Sequence, residues 1–185
     1  MVAKSSLLHA DGSSSQIRCL MRIETRSKIQ RRQTEERKIL MIREARQEDL
    51  DQILKLYLDL HEKEIPVKDA RLENIWKSIL SDRNHHLIVA KKDGKIISSC
   101  DCIIVMNLTR NLHPYALIEN AVTSKSYRKQ GYASECLAYA VNLARTEGCY
   151  KIMLLTGSKD QETLNFYQHA GFSSTDKTAF VQWIG

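Results

Sequence analysis

Ala133, Cys136, Leu137, Ala140, Val141 and Ala144 recur at three- and four-residue intervals, the single apolar stripe of an amphipathic helix. The same period predicts a helix from about Glu48, through Leu50, Ile53, Leu54, Tyr57 and Leu60 or His61. Beyond the break at Pro66 it predicts another, with Leu72, Ile75, Trp76, Ile79 and Leu80 on one face. Elsewhere the apolar runs are short and strand-like. Residues 39–45 read as a first strand, and 87–90 and 95–97 as two arms of a hairpin about Lys92-Asp93-Gly94. The second arm continues from Cys100 to Leu108, and a polar loop at 109–114 leads into a strand at 115–123 that carries Glu119. Gly148 stops the central helix. Residues 150–156 then read as a buried strand, 160–170 as a short helix ended by Gly171, and 172–183 as a last extended segment. The order β, α, α, β, β, β, α, β, α, β predicts an α/β fold of the mixed α+β kind. Its sheet is mixed and mostly antiparallel, with helices on both faces and one parallel pair of strands around the central helix.

The length of 185 residues suits one such domain with a real core. No apolar run reaches the ~18 to 20 residues of a membrane span, so no membrane partner is expected. The net charge of +6 is uneven: residues 1–39 hold nine Lys or Arg against four acids, and the remainder is close to neutral. Two regions follow, a basic and flexible extension at 1–39 and a folded domain at 40–185. A targeting peptide, a tag remnant, a start at Met41 or a basic arm stay open for the first. A nucleic-acid partner is not expected of a nearly neutral domain.

The five cysteines, Cys19, Cys100, Cys102, Cys136 and Cys149, are an odd set without zinc spacing and read as reduced thiols of a cytoplasmic protein. His85 and His86 are adjacent, point to opposite faces of a strand and share no metal. No metal is expected. Neither Gly-x-Gly-x-x-Gly nor a Gly-Lys-Ser/Thr loop is present, which excludes Rossmann and kinase-type nucleotide sites.

Residues 127–137 join the strand of Glu119 to the central helix. Gly131 falls at the helix start, where the first N–H groups have no intrahelical partner and attract anions. Lys125, Arg128 and Lys129 add positive charge, so a pyrophosphate is a natural guest. The spacing Arg128-x-x-Gly131-x-Ala133 resembles the acyl-CoA pyrophosphate loop of the GNAT acyltransferases. Phe166-Tyr167-Gln168-His169-Ala170-Gly171-Phe172 resembles the Phe-Tyr-x-x-x-Gly-Phe signature of the same family, and the parts occur in the family's order across about residues 40–185.

The resemblance implies a twisted sheet of about six to seven strands whose parallel pair splays apart to hold acetyl-CoA as co-substrate. It implies that the loop Arg128, Lys129, Gln130, Gly131, Tyr132 and Ala133 holds the pyrophosphate, with the backbone N–H groups of Gln130, Gly131, Tyr132 and Ala133 as donors, and that Ala121, Val122 and Thr123 pair with pantetheine as an added strand would pair. Tyr167 aligns with the family's frequent general acid. The family often carries Asn where this chain has Asp160, so a cofactor contact at Asp160 is an expectation with a departure. Glu119, a carboxylate within an otherwise apolar strand, is the candidate base. The activity implied is N-acetyl transfer to a primary amine of a small molecule, an amino acid or a peptide. A non-catalytic acyl-CoA sensor is the alternative, and a homodimer stays open. The acceptor is expected to meet residues 60–68, the loop 109–114, where His113 is a second-choice base, and residues 177–183.

Overall fold

A computed structural model of the chain describes residues 40–60 and 62–184. The expectations for residues 1–39, Cys19 and His61 lie outside the described residues. Five strands form one sheet in sequence order, β1 (Leu40–Glu44), β2 (His85–Lys92), β3 (Lys95–Val105), β4 (Tyr115–Thr123) and β5 (Ile152–Leu154). The first three pairings are antiparallel and β4 with β5 is parallel. The β2–β3 turn forms where sequence punctuation placed it, because Asp93 and Gly94 both take positive φ, +50° and +77°.

Helices cover both faces. A turn of 3-10 helix at Gln47–Asp49 runs into α1 (Leu50–Tyr57), and α2 (Ala70–Ser81) starts where the Asp69 carboxylate accepts the Leu72 N–H at 2.9 Å. Ile53, Leu56 and Trp76 from these helices pack on Leu87, Val89, Ile96 and Val122 of the sheet. On the other face α3 (Tyr132–Thr146) lays Tyr132, Cys136, Leu137, Ala140 and Ala144 against Ile88, Cys100, Cys102, Ile104, Ala116 and Ile118. Phe166 and Tyr167 of α4 (Gln161–His169) pack against the same cluster. Cys100, Cys102 and Cys136 are buried thiols, which burial pushes up, the latter two to about 12.

One ion pair ties the first strand to the helical layer. Arg43 holds the fully buried Asp49 at 2.6 Å, and Lys91 stands 3.5 Å away. Burial pushes the Asp49 carboxyl up. Hydrogen bonds from Arg43 and the Arg46 N–H, with the charges of Arg43 and Lys91, outweigh it and hold the carboxyl below its ordinary 3.8.

Two expectations are corrected. The sheet has five strands among the described residues rather than six to seven, and β5 spans three residues rather than seven. The segment 172–183 pairs with no strand among the described residues. Phe172 packs on the core, but Phe180, Val181 and Trp183 face solvent, Phe180 at 93% exposure.

Candidate active site

The β4–β5 ladder stops at Ile118↔Leu154, whereas β4 runs on for five more residues to Thr123. Two causes separate the strands. After Leu154 the chain passes through Leu155, Thr156 and Gly157 without strand geometry. On β4, Asn120 and Ala121 together stand opposite the single residue Cys100 of β3, a bulge in which Asn120 takes φ +51°. An extra residue bends the strand that carries it, and Asn tolerates the left-handed region better than a branched residue would. The backbone edge of Ala121, Val122 and Thr123 therefore lies beyond the last β5 pairing, at the splay.

The connection to α3 runs beside that edge. Lys129 and Gly131 both adopt left-handed backbone, φ +60° and +87°, and the helix opens at Gly131 with no side-chain cap. Its first backbone bond is donated by Glu135 to the Gly131 carbonyl at 3.1 Å, so the N–H groups of Tyr132, Ala133 and Ser134 head the helix. A Cβ built on Gly131 meets nothing within 4 Å, which leaves open space for an oxygen-rich group over those donors. Tyr132 anchors the turn from inside: it is buried, stacks edge-on to Tyr127 and receives the Lys92 ammonium at 2.8 Å.

The nearby cations are engaged with the protein. Arg128 donates to the Thr123 carbonyl at 3.1 Å and to the Asp59 carbonyl at 3.2 Å, bracing the end of β4 against the segment after α1. Lys129 pairs with Glu162 at 2.9 Å and Lys125 with Asp59 at 3.5 Å. The turn at 128–133 thus presents backbone groups at the helix start, and its flanking side chains brace it against the rest of the fold.

Glu119 stands on the face of the sheet that α1 and α2 cover, directly opposite Asp101 in the β3–β4 register. Asp101 is 4% exposed. Its Oδ2 accepts from Asn120 Nδ2 at 2.7 Å, and its Oδ1 lies 3.3 Å from His85 Nε2 in a close but poorly aligned contact. The carboxylate raises the imidazole above its ordinary 6.5, against the opposing effect of burial. Tyr57 of α1 closes the group. Burial pushes its phenol far up, and the Asp101 charge adds to that, so it stays a donor. Asp101, His85 and Asn120 were not among the sequence candidates. A lone acid between Cys100 and Cys102 was the available signal, but its partners depend on strand register and on the bulge.

Tyr167 lies half-buried on α4, its ring 5.0 Å from Phe166 and edge-on to Phe172 at 6.4 Å. Burial pushes its phenol up, with a smaller push from Cys100. Asp160 caps the same helix, accepting the Thr163 N–H at 3.2 Å and the Thr163 hydroxyl at 3.3 Å, which gives its carboxylate a structural task. His113 bonds the Gly148 carbonyl at 2.9 Å through Nδ1, at the end of β4 remote from the splay. Loop 109–114 leads into the same end of β4, where the Arg110 guanidinium lies over the Tyr150 ring. Among the described residues, no three His, Cys, Asp or Glu side chains cluster as a metal site, and no helix is long and apolar enough to cross a membrane.

The geometry agrees with three comparisons. A family model described as "Acetyltransferase (GNAT) family" matches residues 50–172. N-acetyltransferase 8 of Homo sapiens is 28% identical over 112 residues, 60% of this chain and 49% of that protein. Glucosamine 6-phosphate N-acetyltransferase of Trypanosoma brucei brucei is 29% identical over 84 residues, 45% of this chain and 55% of that protein. The chain spans about half the length of the curated relatives it matches. A solved structure from Agrobacterium tumefaciens str. C58 superposes with a TM-score of 0.72 at 31% identity, covering 77% of this chain and 99% of that one.

Proposed function

Because the chain belongs to the acetyltransferase (GNAT) family, we propose that it transfers an acetyl group from acetyl-CoA to a primary amine, by direct attack of the amine on the thioester. The observation that carries this reading is the early end of the β4–β5 ladder beside an uncapped helix start. A pantetheine arm, being an extended amide chain, fits the edge of Ala121, Val122 and Thr123, and its pyrophosphate fits the N–H groups about Gly131. With those ends fixed, the thioester falls near the bulge, beside Glu119.

An aliphatic amine with a pKa near ~10 arrives protonated and must lose a proton before it attacks, which is the task of Glu119, directly or through one water. The oxyanion of the tetrahedral intermediate is stabilised by a strand N–H near Val122. Tyr167, protonated and half-buried, returns a proton to the departing thiolate, whose pKa near ~8.5 makes it a modest base. The acceptor enters over the face of Glu119, bounded by the end of α1 and residues 62–68. The test is thiol release from acetyl-CoA across a panel of monoamines, polyamines, amino sugars, amino acids and peptides. Release that depends on both acetyl-CoA and one class of amine is the expected result. Tight acetyl-CoA binding with no release on any class would replace the enzyme by an acyl-CoA sensor.

A further inference from the structure

Resting on the acetyl-transfer reading, the chemistry sets a requirement. An alkylammonium that becomes an amide gives up two N–H protons; one ends on the thiol, and the other is released to water in every turnover. Glu119 takes that proton and must shed it before the next cycle. In the proposed complex, acceptor and thioester cover Glu119 on the side of the opening, so the proton needs another way out.

The residue opposite Glu119 offers one. Cross-strand partners on one face of an antiparallel pair hold their Cβ atoms about 5 Å apart, within reach of two carboxyl groups or of one bridging water. The Asp101 carboxyl is nearly fully buried and faces Glu119 directly across the ladder, so a proton can pass between the two groups without entering bulk water. Asn120 occupies Oδ2 of Asp101 and leaves Oδ1 toward His85. The imidazole is 22% exposed, whereas the Asp101 side chain is 6% exposed, so the sequence of groups runs from the site toward water.

We propose that Asp101 and His85 form the proton exit of the active site. The proton that Glu119 removes from the ammonium moves to the Asp101 carboxylate and then to the His85 imidazole, and the imidazolium gives a proton up to water. At each step one O–H or N–H bond breaks as the next forms, and nothing is oxidised or reduced. The charged groups facing His85 are Asp101 on β3 and Asp82 in the turn before β2, with Tyr57 of α1 beyond Asp101 and Glu119 across the ladder from Asp101. His86 turns to the opposite face, where it meets Glu44 at 3.2 Å. Both relay residues are positioning groups, since Glu119 alone meets the acceptor.

The test has two arms. Histidine NMR on the whole protein, without acceptor, follows the His85 titration in the unmodified chain, in Asp101→Asn and in Glu119→Gln. The expected result is a fall of the His85 midpoint in Asp101→Asn and a smaller fall in Glu119→Gln. A His85 titration indifferent to Glu119→Gln overturns the linkage. In the kinetic arm, His85→Gln with the fastest amine of the panel lowers kcat roughly tenfold, leaves KM in place, and recovers when imidazole is added to the buffer. An unchanged kcat, or a loss that imidazole does not restore, overturns the exit. Should His85→Gln fail to fold, the NMR comparison decides alone. Should no amine turn over, the acetyl-transfer reading fails by itself, and NMR still judges the linkage.

Discussion

Asp101 and Glu119 face each other across the β3–β4 ladder, and the buried member of the pair, Asp101, touches His85 at 3.3 Å. The arrangement makes stability depend on pH. The folded chain holds the His85 pKa above its ordinary 6.5, so the Asp101–His85 contact contributes fully below that value and is lost as pH rises through the raised one. The denaturation midpoint is therefore expected to decline as pH rises above about 6.5, and this part of the decline to vanish in Asp101→Asn.

Replacing Glu119 by Gln keeps the shape of the site and removes its base. The expected outcome is a fall in kcat of about 10² to 10⁴-fold with the acetyl-CoA thermal shift retained. A shift lost together with activity would mean that the residue supports the cofactor edge instead.

Tyr167→Phe keeps the ring packed between Phe166 and Phe172 and deletes only the hydroxyl. Because a thiolate leaves with little help, kcat should fall about tenfold, with the melting temperature and the acetyl-CoA shift unchanged. Equal loss at every pH would count against a role in proton donation.

The Arg43–Asp49 pair provides a control remote from the chemistry. Arg43→Ala leaves a buried carboxylate with only the Arg46 N–H and the more distant Lys91, and should cost about 3 to 5 kcal/mol in chemical denaturation. Since Asp49 titrates below 3.8 in the folded chain, its share of stability is present above that value and disappears as pH falls through the lowered one.

What could be read from the chain in advance follows a physical division. Helical stripes, the Asp93-Gly94 turn and the Gly131 helix start are local signals, and each recurs in the structure at its expected place. Long-range relations carry no such mark. The bonds of Arg128 are of this kind: its guanidinium reaches carbonyls that include one 69 residues away. The pairing of Asp101 with Glu119 depends on the β3–β4 register, and the Asn120 bond to Asp101 on a bulge at a residue with no special signature among its neighbours. The last segment shows the opposite failure: it reads as extended, and extended propensity alone produces no ladder among the described residues.

The most direct test of the proposed reaction is the thermal shift of the purified protein with acetyl-CoA, measured beside Gly131→Val. At a hundred times Kd, binding should stabilise the protein by about 2.7 kcal/mol, a rise of roughly 5 to 10 °C for a chain of this size. Gly131→Val forces a branched side chain onto a φ of +87° and into the open space over the helix start. It should fold with a loss of about 1 to 2 kcal/mol and show no shift. A full shift in Gly131→Val, or none in the unmodified chain, would contradict the assignment of residues 128–133 as the pyrophosphate cradle and, with it, acetyl transfer at this site.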